Sequence, residues 1–120
     1  MPVRSRARGR YPTVRPTVID GHRFASAHEA RRYTDLLLLQ RAGEISELEL
    51  QVPIPIVFEG RPVLVKSKGY PNGRVLRYVA DFSYREAGEL VIEDAKGHPT
   101  DVYKIKRALL AHMGIKIRES

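Results

Sequence analysis

Apolar and polar positions change period several times along this chain. From about Val18, short apolar stretches flank the pair Asp20-Gly21, so Ile19 to Phe24 reads as a small hairpin or a leading loop. Apolar residues then recur at helical spacing, through Ala30, Tyr33, Leu36, Leu37 and Leu39, and predict a helix from Ala27 to about Ala42. Ser26 and Glu29 have the spacing of a capping box, and Gly43 stands where a C-terminal cap belongs. The stretch Leu48 to Phe58 is rich in Val and Ile and reads as a strand. Pro53 and Pro55 cannot donate to a ladder, which puts that strand at a sheet edge.

Glu59-Gly60 predicts a turn, Arg61 to Lys66 a returning strand, and Ser67 to Gly73, dense in glycine, proline and asparagine, a loop. Two central strands follow, Val75 to Tyr84 and Glu89 to Ala95, joined at Glu86-Ala87-Gly88, a spacing that favours an antiparallel pair. A second helix is expected from Thr100, as N-cap, to about His112, with Val102, Ile105, Leu109, Leu110 and Met113 as its apolar stripe. Gly114 stops it, and Ile115 to Ile117 is expected as a last short strand. The element order is helix, three or four strands, helix, strand: one α/β domain over residues 18–120, with no internal repeat and residues 1–17 as a separate arm.

Composition narrows the function classes. A chain of 120 residues suits one domain with a single core, and 42% apolar with 29% charged residues is a globular balance. The longest aliphatic run, Leu36 to Leu39, is far too short to cross a bilayer, and no apolar stretch suits a secretory signal. With no cysteine there is no disulfide framework and no thiolate metal site, which fits a reducing cytoplasm. The net charge of +7 is concentrated: Arg4, Arg6, Arg8, Arg10 and Arg15 all precede the first acid, Asp20. With Pro12 and Pro16 among them, this segment reads as a flexible basic arm that lies along a polyanion and releases its counterions. Nucleic acid is the leading partner, and a merely solubilising tail is the alternative.

The candidate chemistry lies on the two central strands. Side chains two apart share a strand face, so Asp94 and Lys96 lie on the face begun by Leu90 and Ile92, expected in the core, while Glu93 points the other way. On the partner strand Val79, Asp81 and Ser83 share a face, so Asp81 interrupts a good strand with a carboxylate. Where the strands pair, Asp81 and Asp94 can converge on a hard divalent cation, Mg²⁺ with Mn²⁺ as substitute, with Lys96 beside it. Such a cation polarises phosphate oxygens and activates water, and an ammonium orients the nucleophile and offsets developing charge, which is the equipment for phosphodiester hydrolysis.

Asp81 followed by Asp94-Ala95-Lys96 resembles the D…(D/E)-x-K motif of the PD-(D/E)xK nuclease superfamily, with Ala80 where the superfamily name has proline. The phrases Ile19-Asp20-Gly21-His22-Arg23-Phe24-Ala25-Ser26, Glu29-Ala30-Arg31-Arg32-Tyr33, Tyr78-Val79-Ala80-Asp81-Phe82 and Glu93-Asp94-Ala95-Lys96-Gly97 further resemble a family of small phage and prophage endonuclease-like proteins. Archaeal-type Holliday junction resolvases share its plan. The resemblance implies a restriction-endonuclease-like core of helix, three-stranded meander, helix and strand, carrying the motif on the second and third meander strands. It also implies a metal site of Asp81, Asp94, the Ala95 carbonyl and Glu29, with Lys96 catalytic. Glu29 has a competing role in the capping box. Branched DNA as substrate, a homodimer with two equivalent active sites, and a host cytoplasm if the protein is phage-encoded also follow from the resemblance. No small-molecule cofactor is expected.

Around this core, Lys66, Lys68 and Arg74, together with Arg61 and Arg77, concentrate charge between Glu59 and Asp81, where no acid intervenes, and Tyr70 near the hairpin tip could stack on a base. Lys104 and Arg107 lie three apart on the second helix, placed to hold phosphates or simply solvated. His22, His28, His98 and His112 have no ligand spacing and read as surface or capping groups. A nicking or site-specific duplex endonuclease would use the same metal site. A DNA-binding module without catalysis would need only the basic arm and hairpin.

Overall fold

A computed structural model of the protein describes residues 17–95 and 99–120. The arginines of the arm, through Pro16, and the segment Lys96 to His98 lie outside the described residues. The architecture is mixed α/β, mostly strands with two helices. Strands β1 (Thr17–Ile19) and β2 (His22–Phe24) pair antiparallel across Asp20-Gly21, both of which have positive φ, the geometry a tight hairpin demands. Helix α1 (Ala27–Arg41) begins where Ser26 Oγ accepts the Glu29 N–H at 3.1 Å. It ends in a Schellman cap, the Gly43 and Glu44 N–H groups donating to Gln40 and Leu39 carbonyls. Ala30, Tyr33 and Leu36 are buried and Leu37 and Leu39 partly so, while the Tyr33 hydroxyl donates to Asp20 at 3.3 Å and ties the hairpin to the helix.

The remaining elements are β3 (Ser46–Pro55), β4 (Val57–Phe58), β5 (Arg61–Pro62), β6 (Leu64–Ser67), β7 (Tyr70–Val75), β8 (Arg77–Glu86), β9 (Glu89–Asp94), α2 (Asp101–His112) and β10 (Ile117–Glu119). The main sheet has the order β10-β9-β8-β3. Strands β3, β8 and β9 form an antiparallel meander, and β10 returns through α2 to pair parallel with β9. The proline-bearing β3 occupies an edge, as its sequence requires.

Between β3 and β8 the structure departs from the expected pair of long strands. The chain breaks at Ile56, Val63 and Leu76, where three backbone bonds close a ring: Ile56 N–H to Leu76, Val63 N–H to Ile56 and Leu76 N–H to Val63, at 2.9, 2.9 and 2.8 Å. Two separate hairpins, β4–β5 and β6–β7, branch from this ring. The expected loop Ser67 to Gly73 is mostly strand. Only Lys68 and Gly69 turn, and β7 starts at Tyr70 because a two-stranded ribbon has no central strand for Pro71 to disrupt. Gly73 is required there, since at φ +90° a Cβ would sit 3.0 Å from Leu64 Cβ.

Two buried clusters flank the sheet. One joins α1 to Phe82 and Tyr84, and the other joins Tyr103 and Leu110 of α2 to Ile56, Tyr78, Ala80, Ile92 and Ile117. Along β3 and β8 the changeover falls at one level: Leu50 and Phe82 belong to the first cluster, Val52 and Ala80 to the second. Gln51, across from Asp81, has φ +52° and coils the strand pair there. The expected stripe on α2 is corrected: Val102 and Ile105 are 61% and 60% exposed, Leu109 is exposed, and Met113 is partly buried. The helix docks instead along Tyr103 and Leu110, because Tyr103 buries a large ring beside Tyr78 while its hydroxyl donates to Glu119 at 2.6 Å. Leu90 is corrected too, being 56% exposed at the hairpin end opposite Arg85, whereas Ile92 is buried. The last strand begins at Ile117, not Ile115, because the Ile115 N–H is spent capping α2 on Leu110.

Glu93, fully buried, fastens α1 to the sheet. Arg32 donates to both its oxygens at 2.6 and 3.0 Å, Ser120 Oγ donates at 2.7 Å, and the Tyr84 hydroxyl donates as well. Burial pushes the Glu93 carboxyl up, but these bonds and the Arg32 charge outweigh it and hold the acid below its usual value. Such a depressed acid stabilises the fold fully above the ordinary carboxylate pKa, and the contribution drains away as pH falls through the folded-state value. Arg32→Ala is therefore expected to cost about 3 kcal/mol in urea unfolding at pH 7, somewhat offset by the partial exposure of Arg32. The gap between wild type and variant should narrow as the pH is taken below 4.5.

Candidate active site at the open end of β8 and β9

The ladder between β8 and β9 runs from Glu86↔Glu89 to Phe82↔Glu93, and the next residues in register are Asp81 and Asp94. There the side chains take over from the backbone. The Asp81 N–H donates to Asp94 Oδ1 at 2.8 Å, and the Ala95 N–H donates to Asp81 Oδ2 at 3.0 Å. Each carboxylate thus caps the opposite strand and is held in a fixed orientation by it. Asp94 is fully buried, while Asp81 keeps partial contact with solvent.

Two carboxylates facing each other at adjacent strand ends are hard oxygen donors, so the residues present suit a hard divalent cation. Ala95, whose carbonyl is the expected further ligand, is fixed beside them by its own N–H. Glu29 is buried in the first turn of α1, where its backbone N–H donates to Ser26 Oγ. Among the described residues no three His, Asp or Glu side chains are grouped so as to hold a metal ion. Lys96 lies outside the described residues.

Of the expected DNA-contacting residues, Lys66, Lys68 and Arg74 are exposed on the β6–β7 hairpin, where the Arg74 guanidinium lies 5.1 Å from the Tyr70 ring centroid. Lys104 is exposed on α2. Arg107 is different: it is half-buried, ion-paired with Glu119 at 2.5 Å, and lies 5.5 Å from the Tyr103 ring centroid, which offsets the charge a phosphate would meet. Arg4, Arg6, Arg8 and Arg10 lie outside the described residues. His28 donates through Nε2 to the Ser120 carbonyl at 2.8 Å, and His22 packs edge-on against Tyr33, in keeping with surface and capping roles.

Sequence reasoning missed the role of Glu93 and its partner Arg32. The signal was present: an acid on the face opposite Asp94 must lie against α1, and the helix has an arginine next to Tyr33 in its buried stripe. A cavity of about 510 Å³ lies at the other end of β8 and β9, lined by residues including Gly43, Glu47, Arg85 and Gly88, away from the two aspartates.

Fold and site together define an α/β domain with a pair of carboxylates fixed across the open end of two central strands. The chain belongs to the family described as "Protein of unknown function (DUF1064)", which matches residues 8–119. Comparison with curated proteins and with solved structures returns no match. No helix among the described residues is long and apolar enough to cross a membrane.

The capping exchange sets a stability test. Asp94→Ala would leave the half-buried Asp81 N–H without its acceptor and should lower unfolding stability by about 1–3 kcal/mol. Asp94→Asn keeps an acceptor oxygen at that position and should cost under half as much, as read from paired urea denaturation curves.

Proposed function

We propose that this protein is a metal-dependent DNA endonuclease of the PD-(D/E)xK kind. The observation that carries the reading is the pairing of Asp81 with Asp94 at the end of β8 and β9, two residues before Lys96 in sequence. The order α1, β3-β8-β9 meander, α2 and β10 supports it, since a restriction-endonuclease-like core needs those elements in that order with the acids on the second and third strands. In this reading Asp81 and Asp94 hold Mg²⁺ or Mn²⁺, aided by the Ala95 carbonyl. When bound, the cation supplies positive charge that polarises a phosphate oxygen and makes water a better nucleophile. The capping N–H groups of Asp81 and Ala95 orient the two acids before any ligand arrives, which spares reorganisation when the substrate binds. Lys96 orients the attacking water and offsets charge on the phosphate. By the same resemblance Glu29, buried at the start of α1, is the further acid of this site.

Branched DNA is the substrate this reading favours, by resemblance to junction resolvases, and two symmetric cuts would then call for a homodimer. The arm arginines, Lys66, Lys68, Arg74 and Lys104 supply the backbone contacts, with salt-dependent affinity. A second reading has its own observation. The exchange of backbone bonds gives both aspartates a structural task, so a DNA-binding module without catalysis would also keep them.

Incubation with a labelled four-way junction and with linear duplex of the same sequence, with and without Mg²⁺, separates these readings. Junction cleavage should require Mg²⁺ and fall at least 100-fold in Asp94→Asn and Lys96→Ala, with binding retained. Equal cutting of both substrates keeps the nuclease and removes the junction preference. Binding without cleavage in Mg²⁺ and Mn²⁺ alike would leave the non-catalytic module.

A further inference from the structure

The β6–β7 hairpin and α2 enclose a cavity of about 420 Å³. Val65, Val75 and Leu76 supply its apolar lining and Tyr70, Arg74, Arg77 and Lys106 the rest, and among the described residues no acid lines it. Tyr70 is 47% exposed, with the Arg74 guanidinium over its ring 5.1 Å from the centroid, so the two form a stack that a further flat group can extend. Lys106 Nζ donates to the Arg77 carbonyl at 2.8 Å, which ties α2 to the start of β8. That bond uses one of three ammonium donors.

This lining is more specific than a basic patch. A bare phosphate would have no use for Tyr70, Val65 and Leu76, and a wholly apolar ligand would have none for three cations. A nucleotide unit has both a flat apolar face and an anion, and the volume lies in the range of small-molecule sites. A base held within a duplex stack has no exposed face to offer, whereas an unpaired one does. We propose that this cavity seats one unpaired nucleotide, its base against Tyr70 and Arg74 and its phosphate at Arg77 and Lys106. Arg77 and Asp81 are four residues apart on β8, about 13 Å at strand spacing, or about four base-pair rises along a duplex axis. The proposal rests on the DNA-binding part of the proposed function and is independent of catalysis.

The test is binding of the full chain in EDTA, where no metal-dependent cutting can interfere. The probes are a duplex with a single bulged 2-aminopurine and the same duplex fully paired. Wild type should bind the bulged duplex about tenfold more tightly and quench its 2-aminopurine fluorescence. Tyr70→Ala, at an exposed position, should abolish the preference and the quenching while changing affinity for the paired duplex less than twofold. Arg77→Ala should weaken the bulged complex and spare the backbone carbonyl that Lys106 uses. Equal wild-type affinity for the two probes, or equal weakening of both by Tyr70→Ala, would overturn the proposal. So would retention of the wild-type preference and quenching by Tyr70→Ala. Displacement of the bulged probe by inorganic phosphate as readily as by free single strand would overturn it in favour of a simple anion site. Failure of Mg²⁺-dependent cleavage leaves all these outcomes readable, so the two proposals fail separately.

Discussion

Where two strands of a sheet part company, their backbone N–H groups lose their partners and must be satisfied some other way. In this protein Asp81 and Asp94 do it for each other, each accepting a backbone N–H on the facing strand. The arrangement brings two carboxylates together, which their mutual repulsion opposes, and the charge-assisted bonds to backbone amides offset that cost. The end of the β8–β9 ladder and the placement of the acids are therefore one structural event. A change that lets the strands separate would disperse the acids, and a change that removes an acid would loosen the strand end.

Three consecutive residues at this point serve three layers. Glu93 turns toward α1 and meets Arg32, Asp94 turns across to Asp81, and Ala95 offers its N–H to Asp81 while its methyl packs in the α1 cluster. The alternation of a strand makes this possible, since adjacent side chains must leave on opposite faces. Ser120 closes the group from the other side, its N–H on the Asp94 carbonyl and its hydroxyl on Glu93. Strand β10 and helix α1 are in this way both referred to the strand that carries Asp94. Neither Glu93 nor Arg32 needs to touch a substrate to matter to the site, because they fix the strand from which Asp94 projects.

Much of this was legible in the sequence because it depends on local rules. Ser26, Thr100, Gly43 and Gly114 mark helix ends by hydrogen bonds that reach only a few residues, and the turns at Asp20-Gly21 and Glu59-Gly60 follow from residues that accept positive φ. The Asp81–Asp94 pairing was legible for a different reason: the short Ala87-Gly88 connection fixes an antiparallel register, and register fixes which side chains meet. The splitting of two expected long strands was hidden, because the ring through Ile56, Val63 and Leu76 joins residues up to twenty positions apart and leaves no periodic trace. The docking face of α2 was hidden as well. Hydrophobicity favoured Val102, Ile105 and Leu109, but one tyrosine with a satisfied hydroxyl outweighed them.

That backbone ring also sets where the basic hairpin joins the main sheet, since Leu76 leads directly into β8 at Arg77. The breaks at Ile56, Val63 and Leu76 root the charged ribbon at the start of β8, and the three residues pack in the α2-side cluster, so the root is held by core contacts as well as by hydrogen bonds. Strand β8 then runs from Arg77 at the ribbon to Asp81 at the carboxylate pair, a spacer that pairs with β3 along this stretch. A polyanion lying along the ribbon would meet the acids at a distance set by that strand and not by a flexible loop. Negative charge at the acids would repel the same polyanion, so a cation between Asp81 and Asp94 would make binding at the ribbon and approach to the acids mutually reinforcing.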